Sequence, residues 1–150
     1  MAGQDRAYIG LLAWPNLHAC RQIVGDPNAS YEDVVRHEAA HIVTKVAGDG
    51  KIAQLPSWID EGTAVYAQNG PGFGYQTALQ RAIQSDQLLR LRNMQSATNQ
   101  PDLVNLFYGE SWAVVKFMVD TYGREKFAAV IREIREAAAE LAQAGSGRPA

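Results

Sequence analysis

The chain has 150 residues, of which 47% are hydrophobic and 20% are charged, and its formal net charge is −2. This length predicts one domain, and the composition is typical of a folded globular protein, which excludes a disordered tail or a collagen-like repeat. A single cysteine excludes a scaffold held by internal disulfides. The slightly acidic balance provides no basic surface for nucleic acid, and no apolar run approaches the roughly 20 residues of a membrane span. We therefore expect no nucleic-acid partner and no membrane span in this chain.

The first residues, MAGQD, lack the basic start and the apolar stretch of a signal peptide. The sequence therefore predicts no signal peptide in this chain. It leaves the compartment open, including a longer parent protein that is exported from the cytoplasm.

The predicted elements begin with an irregular segment over residues 1–29, which includes one short strand near Ala19–Val24. Ser30 and Asp33 form a capping box after a turn sequence, so a helix is predicted from Ser30 to about Ala47. Apolar residues at helical spacing predict the core-facing stripe of this helix: Val35, Ala39, Ile42 and Val46.

Two shorter helices follow in the prediction. Pro56 marks a break in the chain, and Ser57 is the expected N-cap of a helix over Trp58–Gln68. After a glycine-rich loop, a third helix is predicted over Tyr75–Ser85.

The last third of the sequence predicts two long helices. Asp102 is the expected N-cap of the first, which ends at Tyr122 before Gly123 and is apolar almost all round, as is typical of a buried central helix. The second runs from Arg124 to about Ala142, before a flexible tail at residues 145–150. Its apolar stripe is expected to face the core: Phe127, Val130, Ile131, Ile134, Ala138 and Leu141.

Residues 37–41 read H-E-x-x-H inside the first predicted helix. Positions four apart lie about 40° apart around a helix and one turn apart along it, so His37 and His41 point to the same place. Zinc accepts imidazole nitrogen, and a catalytic zinc site keeps one position for water, from which the adjacent Glu38 can take a proton. The alternative is a polar helix face with two surface histidines and an unrelated glutamate. The motif uses two of the three histidines in the chain, behind a clear helix cap, and this favours a metal site.

The second predicted helix places Glu61 twenty positions after His41. A loop of this length allows the helix to return antiparallel and bring a carboxylate to the same metal. H-E-x-x-H followed by W-I-D-E-G-T-A-V-Y resembles the gluzincin zinc metallopeptidases, the group of thermolysin and aminopeptidase N, and in particular the peptidase MA-like domain. The resemblance implies that Glu61 is the third zinc ligand. The alternative is a glutamate in the first turn of a helix, where the helix dipole favours negative charge.

The segment F-Y-G-E-S-W-A-V-V, residues 107–115, resembles the tyrosine-bearing helix of the same families. There the tyrosine hydroxyl points at the oxyanion of the tetrahedral intermediate, and the matching residue is Tyr108. A phenol suits this role because its hydrogen bond strengthens as the carbonyl oxygen gains charge. The alternative for Tyr108 is a core tyrosine that is bonded to a neighbour. Ser111, one turn further on, is either a residue that orients Tyr108 or a small packing residue.

The sequence departs from these families at three places. Between Met1 and Arg36 there is no G-x-M-E-N segment, which in the aminopeptidases binds the substrate amine. The position seven residues after the third ligand, which is often acidic and contacts a ligand histidine, is Gln68. Only 36 residues precede the H-E-x-x-H motif, so the sheet beside the site is expected to be small.

Asp60 is a further candidate for contact with a ligand imidazole, with a surface position as the alternative.

The sequence therefore predicts a mainly α (α+β), compact zincin-like catalytic domain over residues 30–144. It consists of an active-site helix, a helical C-terminal half and a short N-terminal strand. We expect one Zn²⁺ per chain, held by His37, His41 and Glu61. We also expect endopeptidase activity on peptides or unfolded proteins, with Glu38 as general base and Tyr108 at the oxyanion.

Two alternatives remain open at this point. One is a catalytically weak zinc-binding domain, in which the metal serves stability or partner recognition. The other is a helical interaction module without metal, which would present the last helix to a partner.

Overall fold

The computed structural model describes residues 30–46, 55–68 and 70–146. In this part of the chain it has five α-helices and one 3₁₀ turn: α1 Tyr31–Val46, α2 Ser57–Ala67, α3 Phe73–Ser85, the 3₁₀ turn Leu91–Asn93, α4 Pro101–Tyr122 and α5 Arg124–Ser146. The prediction of a mainly α fold is confirmed for these residues. The predicted strand at Ala19–Val24 lies outside the described residues.

The start of α1 follows the predicted capping box. The backbone N–H of Asp33 donates to Ser30 Oγ at 3.1 Å, and the Ser30 N–H donates to the Asp33 carboxylate at 3.2 Å. Two backbone N–H groups that have no partner inside the helix are satisfied in this way.

The buried face of α1 differs from the prediction. Val35 is half-buried, whereas Ala39 and Ile42 are exposed, and the side chain of Val46 is not among those described. The buried residues are Val34, His37 and Thr44, on the side of α1 that packs against α2. The predicted stripe is therefore wrong at Ala39 and Ile42, because α1 buries the face that carries His37.

Two predicted N-caps are also wrong. Ser57 is the first residue of α2 rather than its cap, and its N–H donates to the carbonyl of Gln95 at 3.0 Å. Contacts with the segment after the 3₁₀ turn thus replace a capping side chain. At α4, Pro101 takes the first helical position and Gln100 the cap, so Asp102 lies in the first turn. Proline suits that position because its backbone lacks an N–H, which would have no partner there.

Helix α4 is central to the described fold, and α2, α3 and α5 all pack against it. The core cluster joins the loop before α4 with residues of α2, α4 and α5: Trp58, Ile59, Met94, Phe107, Val115, Val119 and Phe127. The end of α4 at Gly123 is confirmed, with φ at +86°. One side of α4 is nevertheless in solvent, since Phe117 is 61% exposed.

Helices α2 and α3 each meet α4 at a glycine. A Cβ on Gly62 of α2 would lie 2.7 Å from the Ser111 carbonyl carbon, and a Cβ on Gly109 of α4 would lie 2.7 Å from the Tyr75 carbonyl oxygen. Real Cβ atoms essentially never come this close to other atoms. The missing side chains thus allow α2 and α3 to contact the part of α4 that carries Tyr108.

Helix α5 packs against the core cluster over its first half. Phe127 is buried, and Ile131 and Ile134 are partly buried against the core, whereas Leu141 is 75% exposed. The predicted stripe is confirmed at its start and wrong at its end. The helix continues past Ala142 to Ser146, so Gly145 and Ser146 belong to the helix rather than to the predicted tail. Among the described helices, none is both long and apolar enough to cross a membrane.

Candidate metal centre

The three residues expected to bind metal lie together between α1 and α2. The Nε2 atoms of His37 and His41 are 3.3 Å apart, as their positions on successive turns of α1 require. From α2, an oxygen of Glu61 lies 3.7 Å from Nε2 of His37 and 3.5 Å from Nε2 of His41. Their side chains thus form one candidate metal-binding group.

The size of this triangle fits zinc. Ligand atoms at about 2.0–2.1 Å from a tetrahedral zinc ion are separated from each other by about 3.3–3.4 Å. The three separations here lie between 3.3 and 3.7 Å, so movements of a few tenths of an ångström would complete the coordination. Two imidazoles and one carboxylate are also a ligand set of known catalytic zinc sites.

Burial and one hydrogen bond fix the orientation of the His37 ring. The side chain is 1% exposed, and its Nδ1 lies 2.9 Å from Oε1 of Gln68. Because the amide nitrogen of Gln68 donates to the carbonyl of Gly70, the amide oxygen faces His37 and accepts the Nδ1 proton. Burial lowers the pKa of His37, although the bond to Gln68 opposes it. The neutral ring therefore presents the lone pair of Nε2 to the other two ligands.

His41 lies between two carboxylates. Its Nδ1 is 3.2 Å from an oxygen of Asp60, close enough for an ion pair, although the two groups are not aligned as a hydrogen bond. The other oxygen of Asp60 accepts a hydrogen bond of 2.8 Å from the Thr44 hydroxyl. Burial lowers the pKa of His41, but Asp60 and Glu61 outweigh it and raise the pKa to about 10.

Tyr108 and Glu38 lie beside the three ligands. The Tyr108 hydroxyl lies close to Glu61, and burial together with the charges of Glu61 and Glu38 raises its pKa to about 12. The phenol therefore keeps its proton at neutral pH and is able to donate it to a hydrogen bond. Glu38 is half-buried, and its negative charge acts on both His37 and Tyr108.

Ser111 does not point at Tyr108. Its buried hydroxyl donates to the carbonyl of Phe107 at 2.7 Å, one turn back in α4, and its own carbonyl faces Gly62. This geometry fits the alternative that Ser111 is a small packing residue.

Two residues at the site were not foreseen from the sequence. Thr44 lies three positions after His41, so its position on the same side of α1 could have indicated the contact with Asp60. Tyr75 lies on α3, with its ring parallel to that of Tyr108, and the centroids are 5.2 Å apart. Nothing in the local sequence pattern indicates this contact, because it joins two different helices.

Comparison with known protein families places the chain in one of them. A family profile described as the Peptidase MA superfamily matches residues 5–144. Searches of curated proteins and of solved structures found no significant match. Since the family profile covers almost the whole sequence, including every residue of the metal centre, the chain belongs to the Peptidase MA superfamily.

Proposed function

We propose that the chain is a zinc-dependent peptidase of the gluzincin type. The observation that carries this proposal is the triangle of ligand atoms from His37, His41 and Glu61, with Glu38 and Tyr108 beside it. Membership of a peptidase superfamily supports peptide bonds as the substrate.

The Nε2 atoms of His37 and His41 and the carboxylate of Glu61 would hold the zinc ion. Bound there, zinc would supply Lewis acidity, which polarises a carbonyl oxygen and makes a water molecule more acidic. Glu38 would accept the proton of the attacking water and deliver it to the leaving amine. Tyr108 would donate a hydrogen bond from its phenolic hydroxyl to the carbonyl oxygen of the scissile bond as negative charge develops there.

Two polar contacts support the ligand histidines in this proposal. Gln68 accepts the Nδ1 proton of His37 and so fixes the tautomer that leaves Nε2 free to bind. Asp60 would support His41 through its charge, since its carboxylate lies 3.2 Å from Nδ1 of His41 and accepts a hydrogen bond from the Thr44 hydroxyl. The amide of Gln68 carries no charge, so it orients its histidine without adding negative charge to the centre.

We further propose that the enzyme cleaves within extended or unfolded chains. Support comes from residues 1–36, which contain no G-x-M-E-N segment of the kind that binds a substrate amine. Cleavage at internal bonds does not need such an anchor.

The test combines metal analysis with a cleavage assay on the same preparation. We expect one zinc ion per chain and hydrolysis of casein or quenched peptides with blocked amino termini. Glu38→Gln should retain the zinc but lose about 10²–10⁴-fold in rate, since an amide cannot accept the proton. His41→Ala should lose the zinc.

Other results would point to the alternatives. Stoichiometric zinc without hydrolysis would identify a zinc-binding domain that lacks turnover. Absence of zinc from the wild-type protein would refute the metal centre. Cleavage of peptides only when their amino termini are free would refute the endopeptidase assignment.

A further inference from the structure

Among the described residues, Tyr75 is the largest of the fully buried side chains, with 1% of its surface exposed. It lies in the first turn of α3, and its ring is inclined by only 8° to that of Tyr108 at a centroid distance of 5.2 Å. This is the geometry of an offset stack, which aromatic rings prefer over a face-to-face arrangement. Tyr75 therefore covers one face of the Tyr108 ring.

The ring of Tyr108 is also held on another side. Phe107 meets it edge-on, with the ring planes at 88° and the centroids 5.7 Å apart. Phe107 is the preceding residue of the same helix, so this contact constrains the ring only relative to α4. Tyr75 belongs to α3, and its contact constrains the ring relative to a second helix.

The separation of the two helices is set beside this stack. The Tyr75 carbonyl oxygen lies only 2.7 Å from the place where a Cβ on Gly109 would be. Gly109 directly follows Tyr108 in α4. The backbones are thus in contact at the residue next to Tyr108, which leaves Tyr75 little freedom to withdraw from the ring.

The two phenol groups are also close to the same carboxylate. Burial is the main reason that the pKa of Tyr75 is raised, and the charges of Tyr108 and Glu61 add to it. Tyr75 itself is too deeply buried to touch a substrate. Its effect on the reaction must therefore pass through Tyr108.

We propose that Tyr75 is a positioning residue whose ring holds the Tyr108 hydroxyl beside Glu61, ready to bond the substrate carbonyl oxygen. This inference rests on the proposed function, in which Tyr108 stabilises the oxyanion. The interaction energy of an aromatic stack corresponds to a factor of about 2 to 12 in a rate constant, and this factor sets the scale of the expected effect.

The test compares Tyr75→Leu, which removes the ring, with Tyr75→Phe, which retains it. Tyr75→Leu should lower kcat about 2- to 12-fold without a change in KM or zinc content, and Tyr75→Phe should restore kcat. In a Tyr108→Phe background, Tyr75→Leu should have no further effect on kcat, because the hydroxyl that it positions is gone. The proposal would be overturned if Tyr75→Leu lowered kcat by the same factor in both backgrounds. It would also be overturned if Tyr75→Phe lowered kcat as much as Tyr75→Leu does. If Tyr75→Leu does not fold, Tyr75→Met takes its place.

A second measurement is independent of hydrolysis. In protein with labelled tyrosine, nuclear Overhauser contacts between the Tyr108 ring and the Glu61 side chain should be present in the wild type and in Tyr75→Phe. They should weaken or vanish in Tyr75→Leu. Unchanged contacts in Tyr75→Leu would overturn the positioning role. A protein with these contacts but no hydrolysis would instead refute the proposed function alone.

Discussion

Replacing Gly62 by alanine should separate α2 from α4 and weaken the metal centre. The added methyl carbon would lie 2.7 Å from the Ser111 carbonyl carbon and 2.8 Å from a methyl group of Val115, whereas real Cβ contacts stay beyond 3.0 Å. The nearest atom, closer still, is the Ser111 carbonyl oxygen, which belongs to the backbone and cannot rotate away, so α2 has to move by at least about 0.6 Å. Overpacking of this kind costs about 1–3 kcal/mol of the free energy of unfolding.

The same shift should reduce zinc affinity. Glu61 directly precedes Gly62, and metal–ligand distances tolerate only about 0.2 Å of error. Loss of support for a ligand typically lowers metal affinity about 10- to 100-fold, and we expect Gly62→Ala to fall in this range. Denaturant unfolding measures the stability, and competition with a chromogenic chelator measures the zinc dissociation constant.

Two other glycines provide matched controls. Gly109→Ala should also cost stability, because its Cβ would lie 2.7 Å from the Tyr75 carbonyl oxygen. It should leave zinc affinity nearly unchanged, since neither α3 nor α4 carries one of the proposed metal ligands. At Gly145 of α5 a Cβ meets nothing within 4 Å, so alanine there should be neutral or stabilising. Wild-type stability and zinc affinity in Gly62→Ala would refute the close approach of α2 and α4.

Single substitutions around the metal centre should separate catalysis from binding. Tyr108→Phe should lower kcat about 10²–10³-fold with little change in KM, and an unchanged kcat would contradict its place at the oxyanion. Thr44→Val removes the hydrogen bond to Asp60 and should weaken zinc binding about 10-fold in chelator competition, whereas Thr44→Ser should restore it. Equal affinities for Thr44→Val and wild type would show that this bond does not support His41. Gln68→Leu leaves the Nδ1 proton of His37 without an acceptor, so zinc affinity should fall about 10- to 100-fold. A wild-type dissociation constant would contradict the tautomer assignment.

Short-range chemistry made several features of this protein predictable. The capping box of Ser30 and Asp33 links residues three positions apart, and its hydrogen bonds form as expected. The same applies to the end of α4 at Gly123, where only a residue that tolerates positive φ fits easily. The spacing of His37 and His41 brings their Nε2 atoms together because one helical turn separates them.

Features that depend on contacts between helices were mispredicted or missed. The stripe assigned to α1 included the exposed Ala39 and Ile42, because helical spacing reveals an apolar face but not which face α2 covers. The cap of α2 was misassigned to Ser57, since the carbonyl that its N–H contacts belongs to Gln95, far along the chain.

The amino-acid sequence by itself determined the helices and the types of residue at the metal centre, because both follow from spacing within a few helical turns. Only the tertiary structure decided how Glu61 approaches the histidines, because this depends on how α1 packs against α2. It also decided that Tyr75 stacks on Tyr108. These contacts join residues on different helices, whose relative position is set by packing of the whole core rather than by any local pattern.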